Sequence, residues 1–153
     1  MRFRVWDNKE QAIYYPYPTP KGERWGDQFA IDLSCEKYYL IEEDEIKYLT
    51  VEQCWNYKLM MSTELYDLNN REIFEDDIIQ FKGKDGLYIV CFGQCFAYQN
   101  DEDNYIGFFL RKVNEDPNIH YTLFPKEKNL IDCYVVGNIY QNKELLKGEQ
   151  NDK

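Results

Sequence analysis

What most constrains the fold of this chain is its punctuation. Between residues 77 and 139, runs rich in β-branched and aromatic residues (77–82, 87–92, 95–98, 105–113, 121–124 and 133–139) alternate with turn formers. Gly83-Lys84-Asp85-Gly86, Gly93-Gln94 and the polar stretches 99–104, 114–118 and 125–129 separate them. Strands at a spacing of about 8–12 residues, joined by such turns, predict a small antiparallel barrel or sandwich. Aromatic residues make up 17% of the 153 positions, 14 of them Tyr, which favours strands further.

The first half is read in the same way. Residues 3–6 and 11–15 flank the polar connection Asp7-Asn8-Lys9-Glu10 and predict a hairpin. Pro16, Pro18 and Pro20 then fix φ and remove donors, which takes the chain out of the sheet. Residues 37–41 and 57–63 read as strands, with the acidic run 42–45 as a solvated turn and Asp67-Leu68-Asn69-Asn70-Arg71 as another. Thr50-Val51-Glu52-Gln53 has capping-box spacing and predicts a short helix through Trp55; Asn142 predicts a capped last turn through Leu146. The expectation is a mainly β fold with one or two short helices: an N-terminal β-rich portion (1–65), a second β portion (66–147) and a fraying tail (148–153).

Charge and composition narrow the function. Eighteen Lys and Arg against 28 Asp and Glu give −10, and the excess lies mainly after residue 62, where 10 basic groups meet 17 acidic ones. Such a balance disfavours direct binding to nucleic acid or anionic membranes, whose affinity comes from Lys and Arg. It suits solubility, or a basic partner. One histidine excludes any site needing two from one subunit. No export signal is expected from the charged opening, and the uncharged run 87–100 is too short and too polar to span a bilayer. Cys35, Cys54, Cys91, Cys95 and Cys133, odd in number and irregular in spacing, read as buried reduced thiols of a cytoplasmic protein.

Each candidate site has a structural reading beside it. Glu72, Glu75, Asp76 and Asp77 offer oxygen ligands to a divalent cation, but a sharp turn in which Asp77 accepts backbone N–H bonds is the stronger expectation. Asp101-Glu102-Asp103-Asn104 opens like a calcium loop and fails at Tyr105, Ile106 and Lys112, leaving a solvated loop tip. Cys91 and Cys95 lack a second short-spaced pair for zinc. His120 has no visible nucleophile or orienting group, and no phosphate loop or nucleophile elbow is present. Tyr14, Tyr15 and Tyr17, interleaved with prolines, form either an aromatic contact surface or rings folded onto the N-terminal core; their two-residue proline step does not fit a PxxP ligand.

Three segments resemble the YopX-like proteins encoded by phages and prophages of Gram-positive bacteria. They are Met1-Arg2-Phe3-Arg4-Val5-Trp6-Asp7, the stretch from Leu59-Met60-Met61-Ser62 through Glu72-Ile73-Phe74-Glu75-Asp76-Asp77-Ile78-Ile79, and Val135-Val136-Gly137-Asn138-Ile139-Tyr140 through Leu146. Phe74 replaces the family's usual Tyr, Asp76 its usual Gly and Lys143 a common Pro; the Gly position suggests that the turn at Asp76 has shifted. The resemblance implies a small N-terminal β-rich portion followed by an SH3-like β-barrel, and supplies no catalytic residue and no cofactor. The resulting expectation is a non-enzymatic accessory protein that binds a host or phage protein, with self-association as a further element. Tyr14, Tyr15, Tyr17, Asp76, Asp77, Asp101 and Asp103 are the candidate contact residues. The rival readings are an acidic nucleic-acid mimic, a direct nucleic-acid binder through Lys82, Lys84, Arg111 and Lys112, and an enzyme acting on a small molecule through His120 and the acidic cluster.

Overall fold

The protein is described by a computed structural model covering residues 2–15, 28–32, 37–42, 45–48, 56–95, 105–123, 125 and 127–147, with the backbone alone between 28 and 48. It is mainly β, and its chain contacts divide it into two units, Met1–Met61 and Ser62–Lys153.

In the first unit β1 (Phe3–Asp7) and β2 (Ala12–Tyr14) form the expected hairpin, with Asp7 opposite Ala12. Asp7 closes it: one carboxylate oxygen accepts the N–H groups of Lys9 and Glu10 at 2.9 and 3.0 Å and the Asn56 amide at 2.8 Å. A separate antiparallel sheet has the order β3 (Gln28–Asp32), β4 (Lys37–Glu42), β5 (Glu45–Tyr48). Here β3 is an addition to the expected strands, and β5 begins within the acidic run read as a turn. The first residues of β6 (Tyr57–Tyr66) pair with β1, Met61 opposite Phe3 and Tyr57 opposite Asp7. Val5, Trp6 and Met60 are buried there. The helix expected at 50–55 lies outside the described residues.

In the second unit the end of β6 pairs with β7 (Glu72–Phe74), and the intervening turn is held by Asp67. Its buried carboxylate accepts N–H bonds from Asn69 and Arg71 at 2.9 and 2.8 Å on one oxygen, and from Val135 at 2.9 Å on the other. Thus the side chain that shapes the local turn also fixes a strand 68 residues away. The strands that follow are β8 (Asp77–Phe81), β9 (Tyr88–Cys95), β10 (Tyr105–Lys112), β11 (Tyr121–Thr122) and β12 (Cys133–Asn138). They form one antiparallel sheet of order β11-β10-β9-β8-β12. A four-strand meander whose fifth strand returns beside the first is consistent with an SH3-like barrel. Ile73, Ile79, Val90, Leu110, Ile131, Cys133 and Val135 make its core, bordered by Phe81, Tyr88, Phe108 and Tyr121.

Two expectations are corrected. Gly93-Gln94 is no turn: β9 runs through it, with Gly93 at φ 149° directly opposite Gly107 of β10. The missing side chains are covered by aromatic rings, since a Cβ on Gly107 would lie 3.2 Å from the Tyr105 ring and one on Gly93 4.0 Å from Phe109. Asn142 does precede a helical turn, the 3-10 segment Lys143–Leu146, but its side chain does not cap it. That oxygen instead accepts the Asn138 N–H at 3.1 Å.

Candidate functional site

The acidic cluster at 72–77 is an internal brace. Asp77 is fully buried, and its carboxylate accepts the Phe74 N–H at 2.8 Å, closing the two-residue turn Glu75-Asp76. Ser62 donates its hydroxyl to Glu72. Asp76 accepts the Tyr140 hydroxyl at 2.7 Å while its backbone bonds to Val90 and Ile139, so this turn ties β9 to the end of β12. Burial, and then the bond to Asp76, push the Tyr140 phenol well above its ordinary value. Asp77 therefore presents no charge to a partner, and as a surface contact it is corrected: a carboxylate committed to a backbone donor inside the fold is structural.

The tyrosine segment divides. Tyr14 is half-buried on β2, whereas Tyr15 is buried and its hydroxyl accepts from the Arg4 guanidinium at 3.4 Å. Tyr15 is thus core and not contact surface, because a buried arginine needs polar partners around it. Tyr17, Asp101 and Asp103 lie outside the described residues.

Among the described residues the thiols offer no reactive centre, and Cys35 and Cys54 lie outside the described residues. Cys91 and Cys95 sit on one face of β9, four residues apart, which is about 13 Å along a strand and too far for one metal ion. Burial raises the Cys91 thiol against the opposing pull of Arg111, so it stays protonated, the reverse of nucleophile activation. Burial, with Asp67, Asp132 and Asp77 nearby, pushes Cys133 up to about 12. His120 stacks on Phe109 at 4.2 Å between centroids. Among the described residues, no three His, Cys, Asp or Glu side chains are grouped to hold a metal ion, and no helix is long and apolar enough to cross a membrane.

The most distinctive surface surrounds the loop from β8 to β9. Gly83 and Gly86 adopt φ of 71° and 95°, the Lys84 N–H returns to Phe81 at 3.2 Å, and the Lys82 N–H reaches Asp132 at 3.0 Å. Lys84 places its ammonium 5.7 Å from the Phe81 ring centre, and Lys112 packs its stem against Gly86. The four basic residues singled out in the sequence are thereby split. Lys82, Lys84 and Lys112 gather at this loop, while Arg111, adjacent to Lys112 on β10, turns to the opposite face beside Cys91. Two adjoining open grooves flank the loop. One, of about 880 Å³, is lined by Gln80, Asp85, Leu87, Val113, Glu144 and Leu145 among others. The second, of about 410 Å³, runs past Gln80, Phe81, Lys82, Lys84 and Tyr134.

The model of the YopX protein family matches residues 2–147. The chain belongs to that family. Protein yopX from Bacillus subtilis has a crystal structure similar to this one, with 16% identity, 97% of each chain covered and a TM-score of 0.53. Protein EF1440 from Enterococcus faecalis is similar at 23% identity, with 95% of this chain and 96% of that one covered and a TM-score of 0.47. No curated protein matches. The Bacillus likeness supports the fold alone.

Within the family pattern, the departure at Asp76 now has a physical account. The turn has not shifted: Asp76 itself adopts φ 66°, the conformation a Gly would supply, and its carboxylate adds the bond to Tyr140 that a Gly cannot make. Gln80, Tyr134 and Leu145 along the grooves escaped the sequence reading, since residues brought together from β8, β12 and the C-terminal turn carry no shared local signal.

Proposed function

We propose that this YopX-family member is a phage- or prophage-encoded accessory protein acting in the bacterial cytoplasm as a non-enzymatic module, which holds an extended segment of a host or phage protein along the grooves beside the β8–β9 loop. The observation that carries this reading is the shape and lining of the grooves. They are open and adjoin through Gln80 and Asp85, and combine apolar and aromatic walls with the cations Lys82 and Lys84 and the carboxylates Asp85 and Glu144. Enclosed apolar pockets suit small ligands, whereas open grooves of this form suit a chain segment, here one with acidic side chains where it passes Lys82 and Lys84.

The nucleic-acid-mimic reading loses support from the burial of Asp77 and the engagement of Asp76, two of the four acidic candidate contact residues. The test is affinity capture of tagged protein from nuclease-treated host and phage-infected lysates, beside the double variant Lys82→Glu and Lys84→Glu. A stoichiometric protein retained by the parent and lost by the variant is the expected result. Retention of the same protein by both would place binding elsewhere.

A further inference from the structure

Both signs of charge meet at the grooves beside the β8–β9 loop, and they are sorted. The smaller groove carries the ammonium groups of Lys82 and Lys84 beside Phe81 and Tyr134. The larger one carries the carboxylates of Asp85 and Glu144 with an aliphatic lining of Leu87, Val113 and Leu145. All four charged side chains are exposed, and among the described residues none of them makes an ion pair. Their contacts within the fold are weak: Lys84 stands 5.7 Å from the Phe81 ring centre, and Glu144 receives the Asn142 amide at 3.4 Å. Lys112 lays the end of its stem against Gly86, next to Asp85 in the chain, and lines neither groove. Glu144, on the C-terminal turn, is therefore the carboxylate that sets the larger groove apart.

We infer that the segment held here is of mixed charge, an acidic side chain meeting Lys82 and Lys84 while a lysine or arginine of the same segment reaches Glu144, an inference that rests on the grooves being the binding surface. The larger groove suits a long cation. Lys and Arg lay an apolar stem along aliphatic surface and keep the charged head at an anion, and Leu87, Val113 and Leu145 supply that surface in the groove that Glu144 also lines. A wholly acidic segment would face the like charges of Asp85 and Glu144, and a wholly basic one those of Lys82 and Lys84. Each is opposed at one end, whereas a segment carrying both signs is matched at both. An extended chain turns every second side chain to one face, so its acid and its base, with an apolar residue between them, can address the one surface together. Charge arranged in this way selects among partners more than it adds affinity.

Fluorescence anisotropy of the full chain tests it with four pools of labelled decapeptides that share an apolar centre and differ at their ends: one acidic and one basic, both acidic, both basic, or both neutral. The parent is compared with Glu144→Lys and with the double variant Lys82→Glu and Lys84→Glu. These exposed positions make both variants compatible with folding, which an unchanged melting temperature verifies. The parent is expected to bind the mixed pool about fivefold tighter than the other three. Glu144→Lys should move the preference to the doubly acidic pool, and the lysine double variant should move it to the doubly basic pool. A parent that binds the doubly acidic pool as tightly as the mixed one, or a mixed-pool preference that Glu144→Lys leaves in place, would overturn the inference while loss of binding in the lysine double variant still upheld the grooves as the binding surface. Binding of no pool, or binding that neither variant alters, would overturn both.

Discussion

At residue scale, the buried carboxylates act as acceptors that fasten turns, and their substitution separates structural from surface roles. Asp77→Ala leaves the Phe74 N–H without its partner in a fully buried place, and is expected to cost about 1–3 kcal/mol in urea unfolding. Asp76 is a finer case. Asp76→Gly relieves a left-handed residue worth about 1–2 kcal/mol but deletes a charge-assisted bond of about 1.5–3 kcal/mol, so its net effect is a loss of about 1 kcal/mol. In a Tyr140→Phe background, where that bond is already gone, the same change becomes stabilising, and the double-mutant cycle reads the coupling. The turn itself was legible in the sequence, because Asp and Asn at close spacing bond their own backbone. Tyr140 was not, since it meets Asp76 across 64 residues.

At the scale of elements, most strands were readable from alternation and punctuation while their order in the sheets was not, and the failures share a cause. Gly93 signals a turn when seen alone; opposite Gly107 and under the Tyr105 and Phe109 rings it continues a strand. Asn142 signals a cap, yet its oxygen serves the β12 terminus, where the chain bulges between Val135 and Gly137. At Gly137 there is no room for a side chain: a Cβ there would run into the Asn142 side chain. Gly137→Ala is therefore expected to displace Asn142 and lower the melting temperature by several degrees, consistent with about 1–3 kcal/mol. Asn142→Gly, which removes the obstructing atoms, should recover part of the loss in the double variant.

At the scale of the molecule, the second unit owes its stability to a core in which a thiol stands among aliphatic side chains. Burial pushes the Cys133 thiol from its ordinary value of 9.0 up to about 12, so the native state holds its proton more tightly than the unfolded chain does. Stability from this group is fully present below pH 9 and lost progressively between 9 and 12. Alkaline unfolding should thus begin in that window and move to higher pH in Cys133→Ala, measured on the difference from the parent at each pH. The grooves were not legible in the sequence, being assembled from strand ends and loops remote from one another. They nevertheless carry the functional claim, and amide hydrogen exchange of the captured complex against the free protein tests it most directly. Protection concentrated at residues 80–87, 113–114 and 144–145 is the result this account predicts. Protection absent there, and confined to other parts of the chain, would contradict it.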